Sequence, residues 1–142
     1  MWDSLVQHTA VEAIMNDKGL AQIGDNLVNL CYSLAKSVAL GKAGGEKVRD
    51  SVLARAIRST EVYKRIGHRT DAGGAGDAYE AIFAWLWMTN RITVKKIVDH
   101  LTPLLSIDSK TSRKKEGEIA AHAFQSLLEL VMHDLPEYPY DR

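Results

Sequence analysis

The sequence predicts an all-α protein, and two observations support this fold class. Apolar residues recur at intervals of three and four, which is the spacing of one helix face, and no segment alternates apolar and polar residues as a half-buried strand does. The three prolines, at positions 103, 136 and 139, lie at the ends of the helical runs or outside them. The clearest runs are Leu20, Ile23, Leu27, Leu30 and Leu34, then Ile97, Val98 and Leu101, then Phe124, Leu127, Leu128 and Val131.

These runs, with the turn residues between them, predict seven helices. Glycine or proline separates most of them, at Gly41, Gly44, Gly67, Gly73 and Pro103. The predicted helices are residues 4–16, 20–38, 45–57, 60–66, 76–89, 93–101 and 115–133. A helical bundle in a single domain over residues 1–142 is therefore expected.

Two of the predicted helices are apolar on nearly every side. The helix at 76–89 has no polar side after its first turn. In the helix at 20–38, the side that the leucine run leaves open carries further apolar residues, namely Ala21, Val28, Tyr32 and Ala35. Because a helix that is apolar all round is buried, we expect residues 20–38 to lie in the middle of the bundle.

The composition is that of an ordinary globular protein and disfavours several other classes. Of the 142 residues, 46% are apolar and 25% are charged, and 18 basic residues balance 18 acidic ones. No overall field therefore attracts nucleic acid or a membrane. Cys31 is the only cysteine, so an internal disulfide and a thiolate zinc site are both excluded.

The sequence shows no membrane-spanning or export signal. The first 13 residues lack a basic start and a long apolar run. The longest apolar stretch, residues 81–88, has eight residues, whereas a membrane span needs about twenty. Together with the lone cysteine, this predicts a cytoplasmic protein without a membrane partner.

The balanced total charge hides one basic segment. Residues 42–69 hold eight basic residues against three acidic ones, an excess of five positive charges. Such a stretch can neutralise several backbone phosphates of a nucleic acid, and it is equally typical of a solvated helix face. The run at 112–115 adds a smaller basic edge at the start of the last helix.

Three carboxylates lie where apolar helices leave little room for charge. Asp25 is in the middle of the helix at 20–38, while Asp77 and Glu80 are three residues apart and project from one face of their helix. Three oxygen ligands on two helices suit a hard divalent cation such as Mg²⁺ or Mn²⁺. For Asp77 and Glu80 alone, capping is the alternative, because acidic residues in a first turn offset the helix dipole. Capping does not explain Asp25, because this residue lies in the middle of its predicted helix.

Glycines 73, 74 and 76 precede the predicted start of the helix that carries Asp77. They lack the Gly-Lys-Ser or Gly-Lys-Thr ending of a P-loop, so we interpret them as a flexible loop rather than a phosphate cradle. His68 and Arg69, just upstream, are placed to hold a phosphate near the carboxylates or simply to form exposed surface.

At these motifs the sequence resembles the endonuclease domain of the ribonuclease III family. Leu20-Ala-Gln-Ile-Gly-Asp25 is similar to the start of the family's signature helix with its central Gly-Asp, and Asp77-Ala-Tyr-Glu80-Ala-Ile is similar to the second motif, Asp-x-x-Glu-Ala. Residues 47–54 and 60–67 resemble the family's middle pair of helices. The resemblance spans about residues 4–103 and is to short members, Mini-ribonuclease III or archaeal-type, that lack a double-stranded RNA-binding domain.

The resemblance implies a ribonuclease III-like helical homodimer that cuts double-stranded or structured RNA in RNA processing, leaving 5′-phosphate and 3′-hydroxyl ends. Asp25, Asp77 and Glu80 would be its catalytic residues and would hold Mg²⁺ or Mn²⁺, which lowers the pKa of a bound water. The RNA phosphates would contact basic residues of the middle segment, namely Lys47, Arg49, Arg55, Lys64, Arg65, His68 and Arg69.

Two positions depart from the longer members of the family. Lys18 and Ala21 stand seven and four residues before Asp25, where those members have acidic residues. Mini-ribonuclease III resembles this chain in having Leu-Ala here, and it is a nuclease. The two missing acids keep a second interpretation open, a catalytically inactive RNA-binding or ribosome-associated dimer. A third is a helical interaction protein whose carboxylates only cap and pair.

Overall fold

The computed structural model describes residues 1–140; Asp141 and Arg142 lie outside the described residues. The all-α fold class is confirmed, since these 140 residues contain helices and no strand. None of the described helices is both long and apolar enough to cross a bilayer. The α-helices are α1 (Val11–Met15), α2 (Lys18–Leu40), α3 (Asp50–Arg58), α4 (Ala72–Met88), α5 (Val94–Leu101) and α6 (Arg113–Val131). Short 3-10 helices are Asp3–Leu5, Glu61–Ile66, Thr102–Leu104 and Met132–Asp134.

Helix α4 is the central element of the bundle. Every residue from Ala78 to Leu86 is buried, and the helix packs against α1, α2 and α3. Its apolar sequence explains this position, because it has no polar side to turn toward water. The buried Tyr79 hydroxyl donates a hydrogen bond of 2.6 Å to the Phe124 carbonyl oxygen and so joins α4 to α6.

Helix α2 lies at the edge of the bundle, so the prediction that it occupies the middle is wrong. Its packed face includes small residues such as Ala21, Gly24 and Ala35, which let α2 approach α4 closely. The opposite face is open to solvent. Its large apolar residues are Ile23, Leu30, Leu34, Val38 and Leu40, of which Leu30 is 51% exposed and Val38 is 63% exposed.

The first and third predicted helices are shorter in the structure, and the fourth is of another type. Residues 4–16 divide into the 3-10 helix Asp3–Leu5 and α1. The predicted helix at 60–66 is the 3-10 helix Glu61–Ile66. Helix α3 begins at Asp50 rather than at residue 45.

The segment before α3, residues 43–49, is not helical and is held against α2. The backbone N–H groups of Glu46 and Val48 donate to the Ser33 hydroxyl and the Asn29 side-chain oxygen, at 2.9 and 2.7 Å. Polar side chains of α2 thus supply the partners that a helix would otherwise give these groups. The segment is thereby fixed beside Asp25.

Helix α4 begins four residues earlier than predicted. Asp71 caps it by accepting a hydrogen bond of 2.7 Å from the Gly74 N–H, so all three glycines lie inside the helix. The interpretation of these glycines as a flexible loop is therefore wrong. The cap overrides the low helix propensity of glycine, and α3 packs here, with the Asp50 backbone oxygen 3.5 Å from where a Cβ on Gly76 would lie.

Candidate active site

Helices α2 and α4 touch at Gly24. A Cβ atom at this position would lie 1.9 Å from the Glu80 carbonyl oxygen, which no side chain can tolerate. The absence of a side chain therefore permits the close crossing. The crossing sets Asp25, the next residue, beside Glu80, and a hydrogen bond joins the two carboxyl groups.

The structure places all three sequence-predicted carboxylates in one cleft of about 580 Å³. The cleft lies between the N-terminal half of α2, the start of α3 and the N-terminal half of α4. Asp25 and Asp77 are partly exposed, whereas Glu80 is only 4% exposed. The full lining is Lys18, Ala21, Gln22, Asp25, Lys47, Val48, Arg49, Asp50, Asp77 and Glu80.

A fourth carboxylate, Asp50, completes the acidic set and was not among the sequence-predicted site residues. It is the first residue of α3 and lines the same cleft. The predicted helix at 45–57 hid it, because that helix places Asp50 in an ordinary second turn. The sequence did carry a signal for Asp50: it is an acidic residue within a basic segment, between Arg49 and an apolar helix face.

The surroundings of Glu80 change its acidity. Burial raises the pKa of Glu80, and the hydrogen bond to Asp25 and the negative charges of Asp25, Asp77 and Asp50 raise it further, to about 9. At neutral pH this carboxyl therefore keeps its proton unless a cation enters the cleft. A buried acid held neutral by acidic neighbours is a common feature of functional sites.

Asn29 orients Asp25. Its side-chain N–H donates a hydrogen bond of 3.0 Å to Asp25 Oδ1, and its side-chain oxygen accepts the Val48 N–H. One amide therefore fixes both the carboxylate and the segment that carries Lys47 and Arg49.

Asp77 does not cap α4. It is the sixth residue of the helix, and the N-cap is Asp71, so the capping alternative for Asp77 and Glu80 is wrong. Its carboxylate instead forms an ion pair with Lys18, whose Nζ lies 3.1 Å from Asp77 Oδ2. Lys18 stands at one of the two positions where an acid was expected from the longer family members.

The donor chemistry of the cleft fits a hard divalent cation. Its four acidic side chains offer carboxylate oxygens, and their negative charges repel one another when no cation lies between them. The side chains line the cleft without converging. Among residues 1–140, no three Asp, Glu, His or Cys side chains form a group placed to hold a metal ion. The structure thus brings the predicted residues into one cleft but shows no assembled metal site.

The predicted phosphate-binding residues fall into two separate groups. Lys47 and Arg49 line the carboxylate cleft, and Arg49 also lines a neighbouring groove with Arg55. The start of α6 supplies Arg113 and Lys114 to that groove, and Arg49 donates a hydrogen bond of 3.1 Å to the Arg113 carbonyl oxygen. The basic edge at 112–115 therefore lies against α3.

The second group lies around the 3-10 helix Glu61–Ile66. Arg65 stacks over the Tyr140 ring at 5.4 Å and sits 4.0 Å from the Glu137 carboxylate. His68 hydrogen-bonds to Asn16 at 2.7 Å, while Lys64 and Arg69 are exposed. None of these four residues lines the carboxylate cleft.

The fold and the cleft define an all-helical protein whose packed helices present carboxylates beside basic side chains. The chain matches the Ribonuclease III family over residues 18–136, which include helices α2 to α6. It therefore belongs to the ribonuclease III family of RNA-cleaving endonucleases, which generally use a divalent metal ion. The family match extends past Pro103 and includes the C-terminal helix, beyond the span of the motif resemblance. No match was found among curated proteins.

Proposed function

We propose that this protein is a metal-dependent endoribonuclease that hydrolyses double-stranded or structured RNA to 5′-phosphate and 3′-hydroxyl ends in RNA processing. The observation that carries this proposal is the cleft in which Asp25, Asp50, Asp77 and Glu80 lie beside Lys47 and Arg49. Metal-dependent phosphodiester hydrolysis requires carboxylates that attract a cation and, next to them, side chains that attract phosphate.

In this proposal Asp25, Asp77 and Glu80 hold Mg²⁺ or Mn²⁺, with Asp50 as a fourth acidic neighbour. A bound divalent ion lowers the pKa of water and offsets negative charge on the phosphate. Asn29 keeps the Asp25 carboxylate turned into the cleft through its 3.0 Å hydrogen bond. Glu80, buried against α2, anchors the inner end of the acidic set.

We propose that RNA approaches across the basic border of the cleft. Lys47 and Arg49 contact the phosphates nearest the carboxylates, and Arg55 extends this border along α3. Lys64, Arg65, His68 and Arg69 would meet phosphates farther away. Because A-form duplexes are recognised through shape and backbone, little sequence preference is expected.

The exposed face of α2 supports the proposed homodimer. Ile23, Leu30, Leu34 and Val38 form an apolar strip on a helix whose other side is packed. Contiguous apolar surface of this kind marks association sites on soluble proteins. Two copies that pair through α2 would each keep their own carboxylate cleft.

A second candidate function is an inactive RNA-binding dimer. The observation that favours it is the α2 side of the cleft, where Lys18 and Ala21 leave Asp25 as the only acidic residue. Such a protein binds duplex RNA in a salt-dependent manner but does not cut it with any divalent ion.

Cleavage of a perfect RNA duplex in Mg²⁺ or Mn²⁺ distinguishes the two functions. We expect the wild-type protein to produce fragments with 5′-phosphate ends and Glu80→Gln to produce none, because the substitution removes an acidic ligand while preserving side-chain shape. Intact RNA that is retarded on a gel would favour the inactive RNA-binding protein. RNA that is neither cut nor bound at low salt would contradict both.

A further inference from the structure

Lys18 is the first residue of α2 and lines the carboxylate cleft. Its ammonium group lies 3.1 Å from Asp77 Oδ2, and both side chains line the cleft. A positive charge in the first turn of a helix is unfavourable, because the helix dipole is positive there. The position therefore gains nothing locally, and the partner that stabilises this charge is Asp77 on α4.

The charges of the cleft disfavour a second divalent ion. With all four carboxylates ionised, as in a metal-bound cleft, Asp25, Asp50, Asp77 and Glu80 face three basic side chains, Lys18, Lys47 and Arg49, which gives a formal charge of −1 before the ion is counted. One divalent ion would change this to +1, and a second would change it to +3. Like charges confined to one cleft repel, so the second ion is disfavoured.

The ion pair of Asp77 gives a second indication. The Asp77 carboxylate is bound to Lys18, on the opposite side of the cleft. Asp77 is thus already neutralised by a cation that belongs to the chain.

We propose that the Lys18 ammonium is a built-in counter-cation for Asp77, so that the cleft takes up one divalent ion rather than two and binds it more weakly than it would without Lys18. The inference rests on the proposed metal-dependent function. It assigns Lys18 a positioning role through Asp77, at a place where an acidic residue would have added a ligand.

Binding of Mn²⁺ to the RNA-free protein, followed by the electron paramagnetic resonance signal of free Mn²⁺, tests this role without any activity assay. We expect one ion per wild-type chain. Lys18→Gln should lower the dissociation constant two- to fivefold, because exposed ion pairs contribute up to about 1 kcal/mol. Lys18→Glu should lower it further and add a second ion.

Lys95→Gln is the matched control. It also removes an exposed Lys–Asp ion pair, with Asp99 on α5, and Lys95 does not line the cleft. Its Mn²⁺ binding should equal that of the wild type, and circular dichroism should show that every variant is folded.

Two ions on the wild-type chain, or an unchanged dissociation constant in folded Lys18→Gln, would overturn the inference while leaving the metal site standing. Absence of Mn²⁺ binding in every variant would overturn both the inference and the metal-dependent function on which it rests.

Discussion

Single residues decide whether the acidic cleft forms at all. Gly24 has no side chain, and the Glu80 backbone occupies the space where a Cβ would be. The next residue, Asp25, can therefore hydrogen-bond to the Glu80 side chain. The Gly-Asp pair thus works as a unit in which the glycine sets the approach of the helices and the aspartate supplies the charge.

Gly24→Ala should destabilise the fold by about 3 kcal/mol, because overpacking a tight contact forces the backbone to move. It should also abolish cleavage by separating Asp25 from Glu80. Gly19→Ala is the control on the same helix, since its Cβ would meet only the Asp17 carboxylate oxygen at 3.4 Å. Urea unfolding should show unchanged or slightly raised stability for the control, and equal stability of the two variants would contradict this role of Gly24.

For single residues, the sequence indicates which residue types form the acidic cleft but not every residue that lines it. Asp25, Asp77 and Glu80 stand out because carboxylates are rare on apolar helices. Asp50 reaches the same cleft from another helix, and its closeness to Gly76 is a tertiary contact that spacing along the chain does not encode. In the sequence, Lys18 stood out only because an acidic residue was expected at its position. Its ion pair with Asp77 is seen only in the structure.

Among the elements, α2 and α6 are tied together by a partly buried ion network. Glu116 accepts hydrogen bonds from the Tyr32 hydroxyl at 2.6 Å and the Lys36 ammonium at 2.8 Å. Lys36 also binds Glu46 in the segment before α3. Burial alone would raise the pKa of Glu116, but the bonds from Lys36 and Tyr32 outweigh it and hold the pKa below its usual value.

Stability should therefore depend on the ionisation of Glu116. A carboxyl whose pKa is lower in the folded state stabilises the protein above its unfolded-state pKa, near 4.5, and this contribution is lost as the pH falls through the folded-state value. Glu116→Gln should cost about 2 kcal/mol at pH 7 and lose less stability than the wild type below pH 4.5.

Urea unfolding at a series of pH values measures this effect. Glu118→Gln is the control, since Glu118 is on the same helix but pairs with Lys115 at 3.8 Å and is more exposed. The control should lose less stability than Glu116→Gln at pH 7. Parallel pH profiles for the wild type and Glu116→Gln would show that the network does not contribute in this way.

Helical periodicity predicts where helices lie along the chain better than it predicts which of their faces are buried. The all-apolar run of α4 correctly identifies a buried helix. The same pattern in α2 does not, because only part of its leucine run is packed: Leu20 and Leu27 are buried, whereas Leu30 and Leu34 face solvent. The start of α4 was missed because glycines at 73, 74 and 76 resemble a loop until Asp71 is seen to cap them.

For the whole molecule, the open apolar face of α2 predicts a dimer. Leu30→Asp should convert a wild-type dimer into a folded monomer, since Leu30 is 51% exposed and its replacement leaves the core intact. Leu130→Asp on α6, where the leucine is 44% exposed, is the matched control and should remain dimeric. Sedimentation analysis distinguishes the two, and a monomeric wild-type protein would contradict the proposed dimer.

The most direct test of the account is the rate at which Asp77→Asn cuts a perfect RNA duplex in Mg²⁺, measured beside the wild type and Asp99→Asn. Both aspartates pair with a lysine on the surface, but only Asp77 lines the cleft. We predict cleavage with 5′-phosphate ends by the wild type and Asp99→Asn, and a loss of at least about a hundredfold for Asp77→Asn, as expected when a metal-binding or charge-stabilising group is removed. Cleavage by folded Asp77→Asn at the wild-type rate would contradict the assignment of this cleft as the active site.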